Sequence, residues 1–383
     1  MWVRCRVLAM TLQLAGTSLP VIGRARMYVC GITPYDTTHL GHAATFVWTD
    51  LCARVLEASG VRVEVCRNVT DVDDDILRQA AKLGVDYRVL GTEQIYRFEE
   101  DMRALRVRTP TYEPRSRDYI EEVVALARGL LERGAAYERD GNVFFKAARI
   151  DPFLADLGMT REDAISLAAQ RGGRPEDETK EDPLDVPLWQ ASPPQDPMEA
   201  PEPSWPSPWG PGRPGWHAEC SAMAMSLLGT SLDVHGGGED LAFPHHVYEA
   251  AQAEALSGVQ PFARAWMHIG MVRYEGEKMA KSVGNLVYVQ DLIERWEPEA
   301  VRLHLVTRNW ADAWDFVEDD LHTASARLER IWAAASKPGN DEVALTAALA
   351  ALENDLDVPV ALDIAEAAGG QTMRRIGSLV GIL

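Results

Sequence analysis

The stretch Gly31-Ile-Thr-Pro-Tyr-Asp-Thr-Thr-His-Leu-Gly-His42 lies between the apolar segment Met27-Tyr-Val-Cys30 and a periodic segment that continues to Ser59. The apolar segment predicts a buried strand, and the periodic one predicts a helix that Gly60 ends. Residues 61–65 then alternate like a second strand. Strand, helix and strand in this order form a βαβ unit, which implies a parallel sheet with a ligand crevice at the carboxyl ends of its strands.

The remaining sequence predicts further parts around this unit. Residues 94–133 have a helical pattern, residues 142–146 look like a strand, and proline recurs between residues 193 and 214. After Tyr288 the pattern is almost wholly helical. We therefore predict an α/β protein with a Rossmann-like parallel-sheet nucleotide-binding catalytic domain, an inserted subdomain and a C-terminal helical domain. The predicted boundaries are 1–93 and 204–288 for the two catalytic halves, 94–203 for the insertion with its Pro-rich connector, and 289–383 for the helical domain.

The composition limits the class of partner. With 38 Lys and Arg against 58 Asp and Glu, the net charge of the 383-residue chain is −20, which disfavours a polyanion such as RNA as a partner. The five cysteines have no regular spacing, which favours a reducing cytoplasm over secretion. The uncharged stretch 7–23 resembles a signal peptide, but an irregular first strand, or a start codon assigned too early, explains it more simply. We expect no membrane association and a monomer.

The turn after the first strand carries the first candidate site, His39, Gly41 and His42. Histidines there can donate hydrogen bonds to phosphate oxygens, glycine lets the backbone approach a nucleotide, and the helix N-terminus adds a positive end. Taken alone, the same residues would be interpreted as ordinary turn histidines.

A second candidate site is the loop Gly276-Glu-Lys278-Met-Ala-Lys281-Ser282. Two lysines three positions apart form a compact double cation that can stabilise the charge developing on a pyrophosphate leaving group. The alternative is a solvated basic turn.

The third candidate site would hold a metal ion. His245 and Glu249 lie four positions apart, so they share one helix face, and two thiolates with an imidazole suit zinc. The cysteines of this set, Cys30 and Cys220, come from distant positions and could equally be buried and inert. The carboxylate cluster at residues 71–75 could bind a divalent cation or cap a helix, and the sequence leaves this open.

Taken together, these motifs resemble the cysteinyl-tRNA synthetase family, which has a class I aminoacyl-tRNA synthetase catalytic domain with the HIGH and KMSKS signatures. The resemblance runs from Met27 to Tyr288. The motifs that carry it are Tyr28-Val-Cys-Gly31, His39-Leu-Gly-His42, Asn68-Val-Thr-Asp-Val-Asp73, Gly212-Arg-Pro-Gly-Trp-His-Ala-Glu-Cys220, His235-Gly-Gly-Gly238, Asp240-Leu-Ala-Phe-Pro-His-His246 and Gly276-Glu-Lys-Met-Ala-Lys-Ser282.

Within this family the sequence is more similar to the mycothiol-pathway cysteine ligases, which join cysteine to the amine of glucosaminyl-inositol instead of to tRNA. The segment Gly31-Ile-Thr-Pro-Tyr-Asp36 and the following Thr38-His-Leu-Gly-His-Ala-Ala-Thr45 look like the ligase version. Residues after Ser282 include no basic strip for RNA. Two positions differ: Glu249 stands where synthetases have a fourth zinc ligand and the ligases usually have a small residue, and Ala280 replaces the usual serine.

The resemblance implies an ATP-dependent cysteine ligase that forms an amide through cysteinyl-adenylate and releases AMP and pyrophosphate. It implies one Zn²⁺ per chain and Mg²⁺ with ATP, with ATP, L-cysteine and an amino-sugar inositol as substrates and tRNA as the less favoured acceptor. A cysteinyl-tRNA synthetase or a paralogue with another acceptor is the alternative, and the intact motifs argue against a catalytically inactive binding module.

The resemblance also assigns roles to individual residues. Trp216, Asp240 and Thr70 have structural alternatives, as a core aromatic, a helix cap and a strand-end hydroxyl. The implied sets are His39, His42, Lys278 and Lys281 for catalysis; these four with Gly41 and Ser282 for ATP; Gly31, Thr33, Thr70, Trp216 and Asp240 for the substrate; and Cys30, Cys220, His245 and Glu249 for zinc.

Overall fold

The structure is a computed structural model that describes residues 9–35, 38–192, 203–279 and 283–383. It begins with a hairpin of β1 (Ala9–Leu14) and β2 (Thr17–Ile22). Alternate side chains of this hairpin enter the main core, among them Leu12 and Leu19. The predicted irregular first strand is therefore wrong, because Ala15 and Gly16 adopt positive φ angles and make a tight two-residue turn.

The predicted βαβ unit is present, with longer elements than the sequence suggested. The helix begins at Leu40 rather than at His42, because His39 caps it. Two further helices follow this unit. The helix predicted over residues 94–133 is not continuous, because one helix ends at Ala104 and the next begins at Ile120. The elements are β3 (Arg24–Ile32), α1 (Leu40–Ala58), β4 (Arg62–Val69), α2 (Asp74–Leu83) and α3 (Tyr87–Ala104).

An inserted α+β layer comes next, built around an antiparallel sheet in the order β5-β6-β7-β8. Its core packs against the helix that follows it. The last strand is short and lies at the sheet edge, where its proline costs no ladder hydrogen bond. The elements are α4 (Ile120–Glu132), β5 (Ala136–Arg139), β6 (Asn142–Phe145), α5 (Asp151–Asp156), α6 (Arg161–Gln170), β7 (Val186–Ala191) and β8 (Gly212–Pro214).

The chain then returns to the parallel sheet. The sequence predicts a helix that begins near Phe243-Pro-His245. The helix begins instead at Val247, because Phe243 has extended backbone angles. The elements are α7 (Trp216–Leu228), β9 (Leu232–Gly238), α8 (Val247–Ser257), β10 (Ala263–Ile269), β11 (Val272–Tyr274) and β12 (Glu277–Lys278).

The main sheet has four parallel strands in the order β10-β9-β3-β4, with α1 packed against it and almost wholly buried. The carboxyl ends of β3, β4 and β9 therefore meet at one edge, where a doubly wound sheet binds its ligand. This confirms the predicted Rossmann-like α/β class.

The C-terminal region is mainly helical and packs on α1. The expectation of an almost wholly helical region after Tyr288 misses one strand, Trp314–Phe316, which pairs in parallel with β11. None of the helices within the described residues is long and apolar enough to cross a membrane. The elements are α9 (Val289–Ile293), α10 (Pro298–Val306), β13 (Trp314–Phe316), α11 (Asp320–Ser336), α12 (Glu342–Glu353), α13 (Val358–Ala368) and α14 (Gly370–Val380).

Candidate active site

The first signature turn forms the N-terminus of α1. Nδ1 of His39 accepts a hydrogen bond from the backbone N–H of Gly41 at 3.1 Å, and the rings of His39 and His42 stack with centroids 3.8 Å apart. A Cβ atom at Gly41 would lie 2.9 Å from the His39 ring, so only glycine fits there. The predicted phosphate-binding turn thus has its two imidazoles stacked at the positive end of a 19-residue helix.

His39 is neutral in this setting. Burial, with smaller effects of His42 and Lys278, lowers the pKa of His39 to about 2. Because Nδ1 accepts the Gly41 hydrogen bond, the ring proton is on Nε2, so His39 offers a neutral N–H donor.

The lysine loop lies against the same turn. Leu40 donates its backbone N–H to Val287 at 2.8 Å, and Val289 donates to Thr38 at 3.1 Å, so the chain that follows the loop is bound to the start of α1. Lys278 lies at the end of β12, and its Nζ is 3.0 Å from Oδ2 of Asp240. Lys281 and Ser282, the other predicted residues of this loop, lie outside the described residues, as does Ala280.

A cavity of about 470 Å³ connects the signature turn to the candidate metal cluster. Most of the predicted site residues within the described chain line it; the exception is Glu249, which is fully buried behind it. The lining includes Cys30, Gly31, Thr33, His39, Gly41, His42, Thr70, Trp216, Cys220, Asp240, His245 and Lys278.

The predicted substrate residues occupy the middle of this cavity. The hydroxyls of Thr33 and Thr70 are 2.7 Å apart, and the Thr70 backbone N–H donates to Ile32 at 3.0 Å. The Trp216 ring stacks on His245 with centroids 4.1 Å apart. Trp216 therefore forms a cavity wall that also fixes a candidate metal ligand.

Asp240 is positioned from the inserted layer. The Arg171 guanidinium, just after α6, donates to the backbone carbonyls of Asp240 and Phe243. The Asp240 carboxylate itself pairs with Lys278 and caps no helix by its side chain. The insertion thus fixes the segment that contacts the signature lysine.

The predicted metal ligands meet at the base of the cavity. The ligand atoms of Cys30, Cys220, His245 and Glu249 all lie within 4.8 Å of one another, and all four residues are buried. Oε2 of Glu249 is 3.5 Å from the Cys30 sulfur and 3.6 Å from Nε2 of His245. Two sulfurs, an imidazole and a carboxylate match the ligand preference of zinc, so the residues fit the predicted ion.

Burial determines the electrostatics of this cluster. Burial raises the pKa of the Cys30 thiol well above its usual value and lowers the pKa of His245 to about 3. For Glu249, burial raises the carboxyl pKa, but His245 and His235 lower it by more, and the net shift is downward. A divalent cation would stabilise thiolates that the metal-free chain holds as thiols.

Two histidines missed by the sequence analysis extend this cluster. His235 and His246 form a second, overlapping group with Cys30 and Glu249, with ligand atoms within 4.8 Å of one another. Nε2 of His235 is 3.3 Å from Oε2 of Glu249. Both histidines stand in motifs that were quoted for the family resemblance, but spacing alone gave no reason to place them beside the metal ligands.

The carboxylate cluster after β4 has its capping explanation in the structure. Oδ1 of Asp73 accepts from the Asp75 N–H at 2.8 Å and caps α2. Asp71 pairs with Arg117 at 2.8 Å, and Asp74 pairs with Arg213. These partners support the N-cap interpretation that the sequence left open.

Most of the chain matches one known protein family. The family described as "tRNA synthetases class I (C) catalytic domain" matches residues 20–326. The chain belongs to this family. The resemblance predicted from the motifs is therefore confirmed.

Curated relatives are similar to the chain over most of its length. A protein of Thermomonospora curvata is 46% identical over 341 residues, covering 88% of this chain and 81% of the relative. A protein of Thermobispora bispora is 45% identical, covering 90% and 85%. Both are named L-cysteine:1D-myo-inositol 2-amino-2-deoxy-alpha-D-glucopyranoside ligase. The prediction that the chain is similar to the mycothiol-pathway ligases within this family is therefore also confirmed.

Solved structures share the family fold at low sequence identity. Mycobacterium tuberculosis methionyl-tRNA synthetase bound by methionyl-adenylate has a TM-score of 0.64 at 17% identity, covering 93% of this chain and 84% of that one. LeuRS of Agrobacterium radiobacter, in a ternary complex with tRNA and LeuAMS, has a TM-score of 0.65 at 12% identity, covering 94% and 83%.

Proposed function

We propose that this chain activates L-cysteine with ATP and transfers the cysteinyl group to the amine of glucosaminyl-inositol. The observation that carries the proposal is the identity of 46% over 88% of the chain to a ligase named for that reaction. The geometry supports it, because one cavity joins the phosphate-binding turn to a cluster of soft metal ligands.

In the first half-reaction the cysteine carboxylate attacks the α-phosphate of ATP, giving cysteinyl-adenylate and pyrophosphate. His39 donates from Nε2 to a phosphate oxygen without adding charge, and the α1 N-terminus contributes its positive end. Lys278 and Lys281 stabilise the negative charge that moves onto pyrophosphate. Magnesium accompanies ATP, with phosphate oxygens and water as its main ligands.

The amino-acid end of the cavity selects cysteine. Asp240 pairs with the substrate ammonium, while Gly31, Thr33 and Thr70 contact its backbone. Trp216 packs against the side chain. In the second half-reaction the acceptor amine attacks the adenylate carbonyl, an amide bond forms, and AMP leaves with its bonding electrons.

Zinc held by Cys30, Cys220, His245 and Glu249 would supply a soft cation that favours a thiolate over a hydroxyl. Discrimination against serine from packing alone would be worth only about 1–3 kcal/mol, so chemical selectivity is the stronger device. The protein's contribution is to hold the four ligands in a buried, water-poor position behind the Trp216 wall.

The experiment supplies purified protein with ATP, magnesium and cysteine, and then adds either glucosaminyl-inositol or cysteine tRNA. AMP release and product mass are followed. We expect an amide of the amino sugar and no aminoacyl-tRNA. Charging of tRNA without turnover of the sugar would refute the proposed acceptor. Release of pyrophosphate with cysteinyl-adenylate formed but transferred to neither acceptor would support the activation step and refute the proposed acceptor.

A further inference from the structure

Asn68 faces a bulge in the neighbouring strand. In the pairing of β3 with β4, Val29 lies opposite Arg67 and Ile32 lies opposite Val69. Two residues of β3, Cys30 and Gly31, therefore face the single residue Asn68. A bulge of this kind redirects side chains and leaves a backbone group without its ladder partner.

The Asn68 side chain binds both sides of this bulge. Its Oδ1 accepts the Gly31 backbone N–H at 2.9 Å, and its Nδ2 lies 3.3 Å from the sulfur of Cys220. Because the Gly31 N–H can only donate, Oδ1 must face it, which fixes the orientation of the amide. The amide N–H groups therefore face the sulfur.

The space around this contact is closed. Asn68 is 1% exposed, and a Cβ atom at Gly31 would lie 1.6 Å from the Asn68 carbonyl oxygen. The two backbones are thus in direct contact. Asn68 lines the cavity but belongs to neither candidate group of metal ligands, so its side chain acts on the site through Gly31 and Cys220.

We propose that Asn68 is a positioning residue that couples the two halves of the cysteine pocket. Its N–H donates to the Cys220 sulfur and orients it toward the metal, while its carbonyl oxygen holds Gly31 where the substrate backbone is bound. A neutral N–H donor stabilises a thiolate without competing for the cation. The inference rests on the zinc site proposed above and is independent of the acceptor.

The test is Asn68→Asp, which keeps an acceptor for Gly31 and removes the donor to sulfur. Zinc affinity is measured by competition with a chelator, and Co²⁺ replaces zinc for absorption spectra. We expect zinc affinity to fall about 10–100-fold, the sulfur-to-cobalt charge-transfer band to shift, and the KM for cysteine to rise. The matched control is Asn142→Asp, because Oδ1 of Asn142 also accepts a backbone N–H, from Ala191 at 2.9 Å, and Asn142 lies in the inserted sheet.

A second variant, Asn68→Leu, separates loss of the donor from the introduction of a buried charge. We expect this variant also to weaken zinc binding and to shift the cobalt band. A purely structural defect would instead lower stability without changing the spectrum. Wild-type zinc affinity and an unchanged spectrum in both Asn68 variants would refute the inference. Failure of the wild-type chain to bind any zinc would refute the zinc site itself, whereas failure to use the amino sugar would refute only the proposed acceptor.

Discussion

His217 supports a candidate zinc ligand from behind. Its Nδ1 lies 2.8 Å from Nδ1 of His245, and its ring stacks on Tyr248 with centroids 5.1 Å apart. Burial lowers the pKa of His217 to about 3, so this imidazole is neutral and one of the two Nδ1 atoms must accept. If His245 donates from Nδ1, its Nε2 lone pair is left to face the metal cluster.

Replacing His217 by Phe should therefore weaken zinc binding about 10–100-fold, the range found for outer ligand partners. Chelator competition measures this effect. The control is His304→Phe, because His304 is also buried but lies on α10, outside the candidate site. Equal zinc affinity of the His217 variant and the wild type would contradict the positioning role.

Lys278 should affect the activation step far more than the stability of the fold. Its ammonium lies beside Asp240 in the cavity, and the side chain is 58% exposed, so few packing contacts depend on it. We expect Lys278→Ala to slow cysteine-dependent ATP–pyrophosphate exchange about 10²–10³-fold. Lys82→Ala, at the exposed end of α2, is the control and should exchange at the wild-type rate.

The site residues within the motifs were predictable from the sequence, and the residues that support them were not. The sequence placed His39 and Lys278 in one site through the family signatures. Asn68 and His217 lie in two further motifs of the family. Asn68 meets Cys220 only because α7 packs on β4, and His217 meets His245 only because α7 packs beside α8 and the segment before it. No local pattern encodes such tertiary hydrogen bonds.

Among the elements, α10 is joined to α1 by a buried ion pair. Nη2 of Arg302 is 2.9 Å from Oδ2 of Asp50, and its other nitrogens donate to the carbonyls of Val380 and Leu105, each at 2.7 Å. The guanidinium is fully buried and links three segments. Arg302 thus connects the C-terminal helices α10 and α14 to α1 and to the end of α3.

Arg302→Met should lower the free energy of unfolding by about 2–5 kcal/mol. It leaves the buried carbonyls of Leu105 and Val380 without this donor, at about 1–3 kcal/mol each, and Asp50 keeps only its arginine partners Arg54 and Arg108. Urea unfolding followed by tryptophan fluorescence measures the loss. Arg330→Met is the control, since Arg330 is 62% exposed and its surface ion pair is worth little. A change below about 1 kcal/mol in the Arg302 variant would contradict this account.

The pairing of Asp50 with arginines should make the stability of the fold depend on pH. Burial raises the pKa of Asp50, but Arg302, Arg54 and Arg108 lower it by more, so the folded pKa lies below the ordinary value. The stability that ionised Asp50 contributes is fully present above the pKa of Asp in the unfolded chain, about 3.9. This stability is lost as the pH falls through the pKa of Asp50 in the folded chain. Asp50→Asn should therefore be less stable than the wild type at pH 6, with a difference that narrows in acid. A stability difference between Asp50→Asn and the wild type that stays constant from pH 6 into acid would contradict this explanation.

Element boundaries were predicted where local signals are strong. The break between α3 and α4 was not predicted, because it depends on the chain pairing with the edge of β4. The strand β13 was not predicted, because it depends on pairing with β11. Both are contacts between segments that are distant in sequence.

For the whole molecule, metal binding should be coupled to proton release. Burial raises the pKa values of the Cys30 and Cys220 thiols, so the metal-free chain holds them protonated near neutrality. Zinc uptake then releases two protons, and zinc affinity should fall about 100-fold per unit as the pH is lowered. His245 adds no proton above pH 5, because its pKa is about 3. Chelator competition at pH 6.5 and 7.5 tests this, and pH-independent affinity would contradict it.

Enzyme-bound cysteinyl-adenylate should be discharged by the amine of an amino sugar. A single-turnover chase tests it most directly. Enzyme is mixed with ATP, magnesium and radiolabelled cysteine, the bound adenylate is isolated, and glucosaminyl-inositol or cysteine tRNA is added. We predict rapid transfer of label to the sugar as an amide, with the tRNA left unlabelled. Transfer to tRNA while the sugar leaves the adenylate intact would contradict the account.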